Sequence, residues 1–364
     1  MKVLLITDAW APQVNGVVRS LSRTRDFLVR TGHEVEVISP RGQRTLPCPS
    51  YPEIRLTLRP GCAVRQATRN RRFDAIHIAT EGPLGIAARA WCIDQGLRFT
   101  TSYHTRFPEY LRMRAPVPLA TGYRLMRWFH GAAARTLVRT GTQRRLLARR
   151  GLRNLQIWPG AVDTDQFRPC GKEALDLPRP VSMYVGRVAP EKNLAAYLDL
   201  DLPGSRVIVG GGPMLERYRR RYPGVHFLGY RHGEALAHTL SAADVFVFPS
   251  LTDTLGLVML EAMACGVPVA AFPVPGPADV VLDGATGALD EDLREAVFRA
   301  LAIPGEDCVD YAQAHSWERA GEVFVSLLEP AERAAESSPV ELLPYNSGAC
   351  PSPLPVPKRA STNP

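Results

Sequence analysis

A chain of 364 residues has room for two domains of ordinary size, and 45% hydrophobic against 22% charged residues excludes a mainly disordered polymer. No apolar run reaches the ~18 residues of a membrane-spanning helix without charge or proline; the nearest, 262–278, holds Pro268, Pro273, Pro275 and Pro277. The net charge of +8 hides an asymmetry, because residues 1–168 carry 28 Lys+Arg against 11 Asp+Glu while residues 169–364 carry 16 against 25, which calls for an anionic partner on the first half: nucleic acid, an anionic membrane or a phosphorylated substrate.

From the start, Lys2 and the apolar run Val3 to Ile6 meet Asp8 too early for a signal peptide, so a cytoplasmic location is expected. Short β-branched runs recur at Val3–Thr7, Val35–Ile38, Ala75–Ala79, Phe99–Tyr103, Leu137–Arg139 and Gln156–Trp158, with helix-competent segments between most of them. This is the pattern of βαβ units around a parallel sheet. A second series follows the Pro-bearing stretch Pro169–Pro180, with strands expected at Val181–Val185, Arg206–Val209, Val225–Leu228, Val245–Phe248 and Val267–Phe272. The expected layout is one Rossmann-like domain over 1–168 and a second over 169–312. A helix over 313–329 is free to cross back to the first domain. A tail over 330–364, with eight prolines in 35 residues, is expected to be disordered.

Seven cysteines, an odd number with no C-x-x-C spacing, predict scattered reduced thiols rather than a disulfide framework or a structural zinc. The stretch Leu111–Val162 has no acidic residue and carries arginines from Arg112 to Arg153, interleaved with Tyr123, Leu125, Met126, Trp128 and Phe129. It reads either as a solvated basic face or as a surface that docks on anionic lipid. No helix-turn-helix, RNP or finger pattern supports nucleic acid as the partner.

Three loops carry chemistry. Phe248 to Pro268 reads as strand end, loop, then a helix over about Gly256–Ala264 closed by Gly266. Its start offers free N–H groups to a diphosphate. Asp253 or Thr254 as a plain N-cap is the simple alternative, but that leaves Glu261, a carboxylate in an apolar helix, in need of a partner. In Val185–Asn193, Arg187 and Lys192 lie across a strand-to-helix turn and can grip one phosphate pair, Arg as a fork and Lys as a point charge; incidental surface charge is the alternative. Gly210-Gly211-Gly212-Pro213 is a Gly-rich turn without the G-x-G-x-x-G spacing, which disfavours a nicotinamide enzyme, and no P-loop occurs. In the first half, Asp8, Asn15 and Gly16 follow the first strand. His104 stands at a strand's carboxyl end, either structural or facing the cleft.

With the motifs NGVVRS, YHTRFPEY, GRVAPEKN, GGGP and PSLTDTLGLVMLEAMACGVPV, the chain from Met1 to about Leu328 resembles the retaining glycosyltransferases of family 4. It is most similar to the bacterial branch of GDP-mannose-dependent α-mannosyltransferases and sulfoquinovosyl- or glucosyl-diacylglycerol synthases. The resemblance implies the GT-B fold, two Rossmann-like domains facing a cleft, the first binding the acceptor and the second the nucleotide sugar. It maps the family's paired acids onto Asp253, for the donor sugar, and Glu261, for the ribose. It gives Arg187 and Lys192 to the diphosphate, His104 to the donor sugar, and Gly16, Gly211, Thr254, Leu255, Gly256 and Leu257 to the donor site. Asn15, Arg106 and Tyr110 are the expected acceptor contacts. Asp253 stands where Glu is common, Leu255 where Phe is usual, and Trp158–Asp163 lacks the arginine often found before the Val-Asp pair.

The implied reaction moves a sugar, with mannose from GDP-mannose favoured, onto a lipid or glycan acceptor with retention. Arg187, Lys192 and the helix start would meet the leaving charge in place of a metal, and no cofactor is expected. No protein nucleophile is placed for a covalent intermediate, so front-side attack is implied instead. The enzyme would sit peripherally on the inner membrane face. A UDP-sugar-dependent glycolipid synthase is the alternative enzyme, and a nucleotide-sugar-binding protein without turnover the alternative class.

Overall fold

The short β-branched runs of the sequence become strands, fully buried at the centre of each sheet and partly exposed at its edges. In the computed structural model, which describes residues 1–13, 15–48, 51–114 and 116–332, the first half forms β1 (Lys2–Ile6), β2 (Glu34–Ile38), β3 (Thr45–Cys48), β4 (Tyr51–Thr57), β5 (Ala75–Ile78), β6 (Thr100–Ser102), β7 (Arg135–Val138) and β8 (Leu155–Ile157). The second half forms β9 (Val181–Val185), β10 (Ser205–Val209), β11 (His226–Gly229), β12 (Val245–Phe248), β13 (Val269–Ala271) and β14 (Gly287–Leu289). Two six-stranded sheets result, ordered β2-β1-β5-β6-β7-β8 and β11-β10-β9-β12-β13-β14. The pairs within them are parallel, as in β1 with β5 and β9 with β12. Strands β5, β9 and β12 are buried at every position because helices cover both faces.

Strand order reverses between β1 and β5 in one sheet and between β9 and β12 in the other. Crevices form at such switch points, beyond the carboxyl ends of the strands. The loops that open there are 8–16 after β1, 186–193 after β9 and 249–256 after β12, so topology alone brings three motif-bearing loops to the same side of the molecule.

The structure departs from the sequence reading at several places. A β3–β4 antiparallel hairpin and the short β14 were not expected; Pro47 and Pro52 mask the first, and Gly287 the second. Cys48, Cys92, Cys170, Cys265 and Cys308 are free thiols, but Cys62 is disulfide-bonded. A disulfide outside the C-x-x-C spacing leaves no mark in the local sequence. Within the expected tail, Pro330 bridges Ala75, the Ala331 amide donates to the Asp74 carbonyl and the Glu332 carbonyl accepts from the Arg98 amide, so order runs on through 332 because the backbone just before β5 and β6 offers partners. Residues 333–364 of that tail lie outside the described residues.

The helix Trp317–Leu327 returns to the first sheet. Phe324 is buried with Val3, Leu5 and Trp158, the Trp158 indole donates to the Ala320 carbonyl at 3.1 Å, and a Cβ on Gly321 would lie 2.3 Å from the Phe27 ring. Just before this helix the returning chain runs beside the outgoing one: Val162 and Ser316 form a parallel bridge, and the Val162 amide donates to the His315 carbonyl at 2.9 Å.

Candidate active site

The helix Leu257–Ala264 starts from Gly256, whose φ of 81° is the left-handed conformation that glycine adopts freely. A Cβ there would also meet Met259 and Phe248 at 2.8 Å. No side chain caps this start, so the first amides of the helix keep their donors for a ligand. Thr254 is not the cap: its hydroxyl donates to the His104 carbonyl at 2.8 Å and ties the second half to the first. Leu255 is buried against the linker, where a Cβ on Gly160 would collide with it, and Leu257 lies 3.9 Å from the Cβ position of Gly16. Helix start, linker and first loop thus meet at two leucines.

Asp253 and Lys192 form one unit. The Lys192 ammonium donates to both carboxylate oxygens, at 2.6 and 2.8 Å, and both side chains are largely buried. Burial by itself would lower the lysine pKa, but Asp253, Tyr184 and Tyr110 raise it overall, so the ammonium stays charged. Arg187 lies half-buried on the same loop, its carbonyl accepting from the Tyr184 hydroxyl at 2.9 Å. Asn193, left-handed at φ 52°, donates to the Pro249 carbonyl at 3.1 Å and links this loop to the one bearing Asp253. Gly211 sits behind: its carbonyl accepts from the Val188 amide at 2.9 Å, and a Cβ would strike the Tyr230 ring at 2.7 Å.

Glu261 is 3% exposed. Its partner is Arg19, from the helix Gly16–Arg30 of the first half. The pair borders a cavity of about 230 Å³ lined by Val162, His232, Gly233, Leu236 and Trp317 among others. Next to it Arg23 pairs with Asp163 at 2.5 Å. Neither arginine was singled out in the sequence, although Arg19 lies within the NGVVRS motif.

On the first-half side, His104 is buried edge-on to the Trp158 ring at 5.8 Å. Burial, then Arg139, His77 and His130, hold its imidazole well below the usual histidine range, hence neutral. Tyr110 hydrogen-bonds Thr252 and lies near Lys192 and Asp253; burial pushes its hydroxyl pKa up. Arg106 donates to the Leu251 carbonyl at 3.4 Å and to Glu109 at 3.2 Å. Asn15 has a different employment from Arg106 and Tyr110: its Oδ1 caps the Gly16–Arg30 helix at the Val18 amide, 3.0 Å away. Asp8 is likewise spent on structure, accepting from the Leu84 amide at 2.9 Å and from the Thr80 hydroxyl at 3.0 Å. Buried polar atoms without a partner gather nearby among the described residues: Tyr103 Oη, His104 Nε2, Arg106 Nε, Glu109 Oε2 and Gln143 Nε2. Tyr103, Arg106 and Gln143 line a small void whose opposite wall is Asp253, Thr254 and Pro275.

Similarity to known proteins runs along both halves of the chain. The family model "Glycosyltransferase Family 4" matches residues 14–166, and "Glycosyl transferases group 1" matches 179–303. The GDP-mannose-dependent alpha-mannosyltransferase of Mycolicibacterium smegmatis is 33% identical over 322 residues, 79% of this chain and 84% of its own length. That of Mycobacterium tuberculosis is 30% identical over 317 residues, 79% and 83% of the two chains. The sulfoquinovosyl transferase of Arabidopsis thaliana is 30% identical over 268 residues, 68% of this chain and 52% of its own length. Sucrose-phosphate synthase from Thermosynechococcus elongatus superposes with a TM-score of 0.72 at 21% identity, covering 90% of this chain and 98% of that one. The glycosyltransferase WaaG does so at 0.66 and 16%, covering 90% and 99%. Matched by family models over both halves and 33% identical to a mannosyltransferase relative across 84% of that relative's length, the chain belongs to glycosyltransferase family 4, on the GT-B fold.

Proposed function

We propose that this glycosyltransferase moves mannose from GDP-mannose, with retention and without a metal, onto a lipid-linked or glycan acceptor presented at an anionic membrane. The observation that carries the reading is the Lys192–Asp253 pair beside an uncapped helix start at a strand-order reversal. A leaving diphosphate needs fixed positive groups where its charge grows. Lys192, Arg187 and the first amides of the Leu257–Ala264 helix are those groups, and Lys192 exchanges Asp253 for phosphate oxygen as the donor enters. Asp253, released, takes a sugar hydroxyl. Glu261 takes the ribose hydroxyls at the wall of the 230 Å³ cavity, with the base toward His232 and Gly233.

The acceptor hydroxyl approaches from the side of Tyr103, Arg106 and Gln143, whose unpartnered atoms face the void next to Asp253. No side chain is assigned as nucleophile; the departing phosphate oxygen takes the acceptor proton on the face the donor leaves. Mannose and GDP are favoured by the names of the mannosyltransferase relatives. The membrane is favoured by the exposed row Arg124, Leu125, Arg127 and Trp128 on the helix Leu119–His130, with Arg144, Arg145, Arg149, Arg150 and Arg153 exposed nearby. Among the described residues no helix is long and apolar enough to cross a membrane.

The test is a thermal-shift panel of GDP, UDP and ADP with their sugars, followed by the anomeric configuration of the product by NMR. Ligand at ~100 times its Kd adds ~2.7 kcal/mol. Stabilisation by UDP alone would transfer the reading to a UDP-sugar glycolipid synthase. An inverted product would overturn retention.

A further inference from the structure

Where β6 and β7 end, a cation and an imidazole meet in the interior. Arg139 follows β7 directly and is only 6% exposed. Its guanidinium carbon lies 3.8 Å from the centre of the Trp158 ring, and Nη1 donates to the Pro159 carbonyl at 3.3 Å. Among the described residues no carboxylate pairs with it. Its Nη2 stands 3.5 Å from His104 Nδ1.

A guanidinium only donates. A proton on His104 Nδ1 would point at a buried cation, so Nδ1 presents its lone pair there. A neutral imidazole carries one proton, and it then sits on Nε2. Nε2 is buried and has no partner within the protein, which leaves an N–H donor held ready for a ligand.

We propose that Arg139 is a positioning residue that fixes His104 in the neutral Nε2–H form, so that the imidazole offers a donor, never a base, to the bound sugar. The last clause rests on the proposed donor-sugar role of His104. The polarity is opposite to that of a histidine oriented by a carboxylate, which accepts the Nδ1 proton and leaves Nε2 basic. The other groups around the ring agree. His77 on β5 and His130 at the end of the Leu119–His130 helix both act against a charged imidazole, as burial does. The uncharged Trp158 ring stands T-shaped to it, and from the second half Thr254 reaches only the His104 backbone carbonyl.

The experiment uses the full chain with ¹⁵N-labelled histidine and long-range ¹H–¹⁵N spectra between about pH 5 and 8, with His104→Gln identifying the signals. The wild type should show His104 protonated at Nε2, bare at Nδ1, and unchanged across the range. In Arg139→Met Nδ1 no longer faces a cation, so the neutral ring should populate the Nδ1–H form, Nε2 loses its donor, and kcat should fall about tenfold, the size of one lost hydrogen bond, while GDP affinity stays within about twofold. Arg139→Lys should restore the Nε2–H form. A wild-type Nδ1–H form overturns the inference, as does an Arg139→Met protein with wild-type histidine signals. If Arg139→Met does not fold, the wild-type spectrum decides alone. The tautomer is read without substrate, so a fully active His104→Gln would strike the sugar role and leave the Arg139–His104 relation standing.

Discussion

Arg19 reaches across the cleft and pairs with Glu261, so the carboxylate that sequence resemblance assigns to the nucleotide is held by the other half of the molecule. A carboxylate this buried needs a partner. In the proposed function the ribose hydroxyls are its ligand. Glu261→Gln should therefore weaken GDP binding by ~1.5–3 kcal/mol, the value of a hydrogen bond to a charged group. Titration calorimetry reads the change, and an unaltered affinity would remove Glu261 from the nucleotide site.

Lys192→Ala leaves Asp253 without its cation and the leaving diphosphate without a fixed charge. Initial rates of nucleotide-sugar turnover should drop ~10²-fold or more, with a smaller change in KM, because the charge peaks in the transition state. EDTA should change the wild-type rate little. A rate abolished by EDTA and restored by Mg²⁺ or Mn²⁺ would contradict the metal-independent reading.

Acid should destabilise the first domain through His77. This residue is fully buried, hydrogen-bonded to Thr100 and Ser102 at 2.8 Å each, and burial followed by Arg139 drives its pKa down to about 3. Below the unfolded value of ~6.5 the unfolded chain binds a proton that the folded one refuses. Stability is then whole above pH ~6.5 and declines toward pH ~3 by up to ~1.4 kcal/mol per unit. Urea midpoints at neutral and mildly acid pH measure this. His77→Asn should flatten part of the slope, His104 supplying the remainder, and an unchanged slope would count against the assignment.

Binding to anionic liposomes should be steep in salt and nearly absent on neutral ones, since attraction between exposed charges is screened beyond ~8 Å at physiological ionic strength. Replacing Arg144, Arg145, Arg149 and Arg150 by Gln should remove up to ~4 kcal/mol at ~1 kcal/mol each. Trp128, 47% exposed with Arg89 stacked at 4.2 Å, should add a smaller, salt-independent share when changed to Ala. Co-sedimentation is the measurement, and equal partitioning onto both vesicle types would favour a soluble acceptor.

Gly321→Ala places a methyl into the Phe27 ring at the seam between the last helix and the first. Overpacking of this kind costs ~1–3 kcal/mol. The melting temperature should fall without loss of the GDP-induced shift. A neutral outcome would mean that Phe27 has room to turn aside.

The central strands of both large sheets were legible because β5, β9 and β12 are short, fully buried runs, and buried runs keep their apolar signature whatever surrounds them. The active-site loops were legible by position, as strand ends followed by glycine or proline. Partnerships were not. Nothing near residue 192 announces residue 253, and nothing near residue 261 announces residue 19, because a cleft brings together segments that local chemistry treats as unrelated. The acid-free stretch shows the same limit from the other side. Arg139 reads there as one more solvent-facing charge but lies in the interior beside His104, and Arg135 is tied to Glu329 at 2.7 Å. Only a count of what each helix and strand end covers separates them from Arg144 or Arg149.

The chain crosses between its two halves twice, and the crossings are joined by the Val162–Ser316 bridge and the amide of Val162 on His315. A single tether would let the halves swivel in every direction. Two tethers laid side by side act as the spine of a book: they permit opening and shutting about one line and resist twisting and sliding. Arg19 against Glu261 and Thr254 against the His104 carbonyl span the facing pages, and their alignment is stored in the binding.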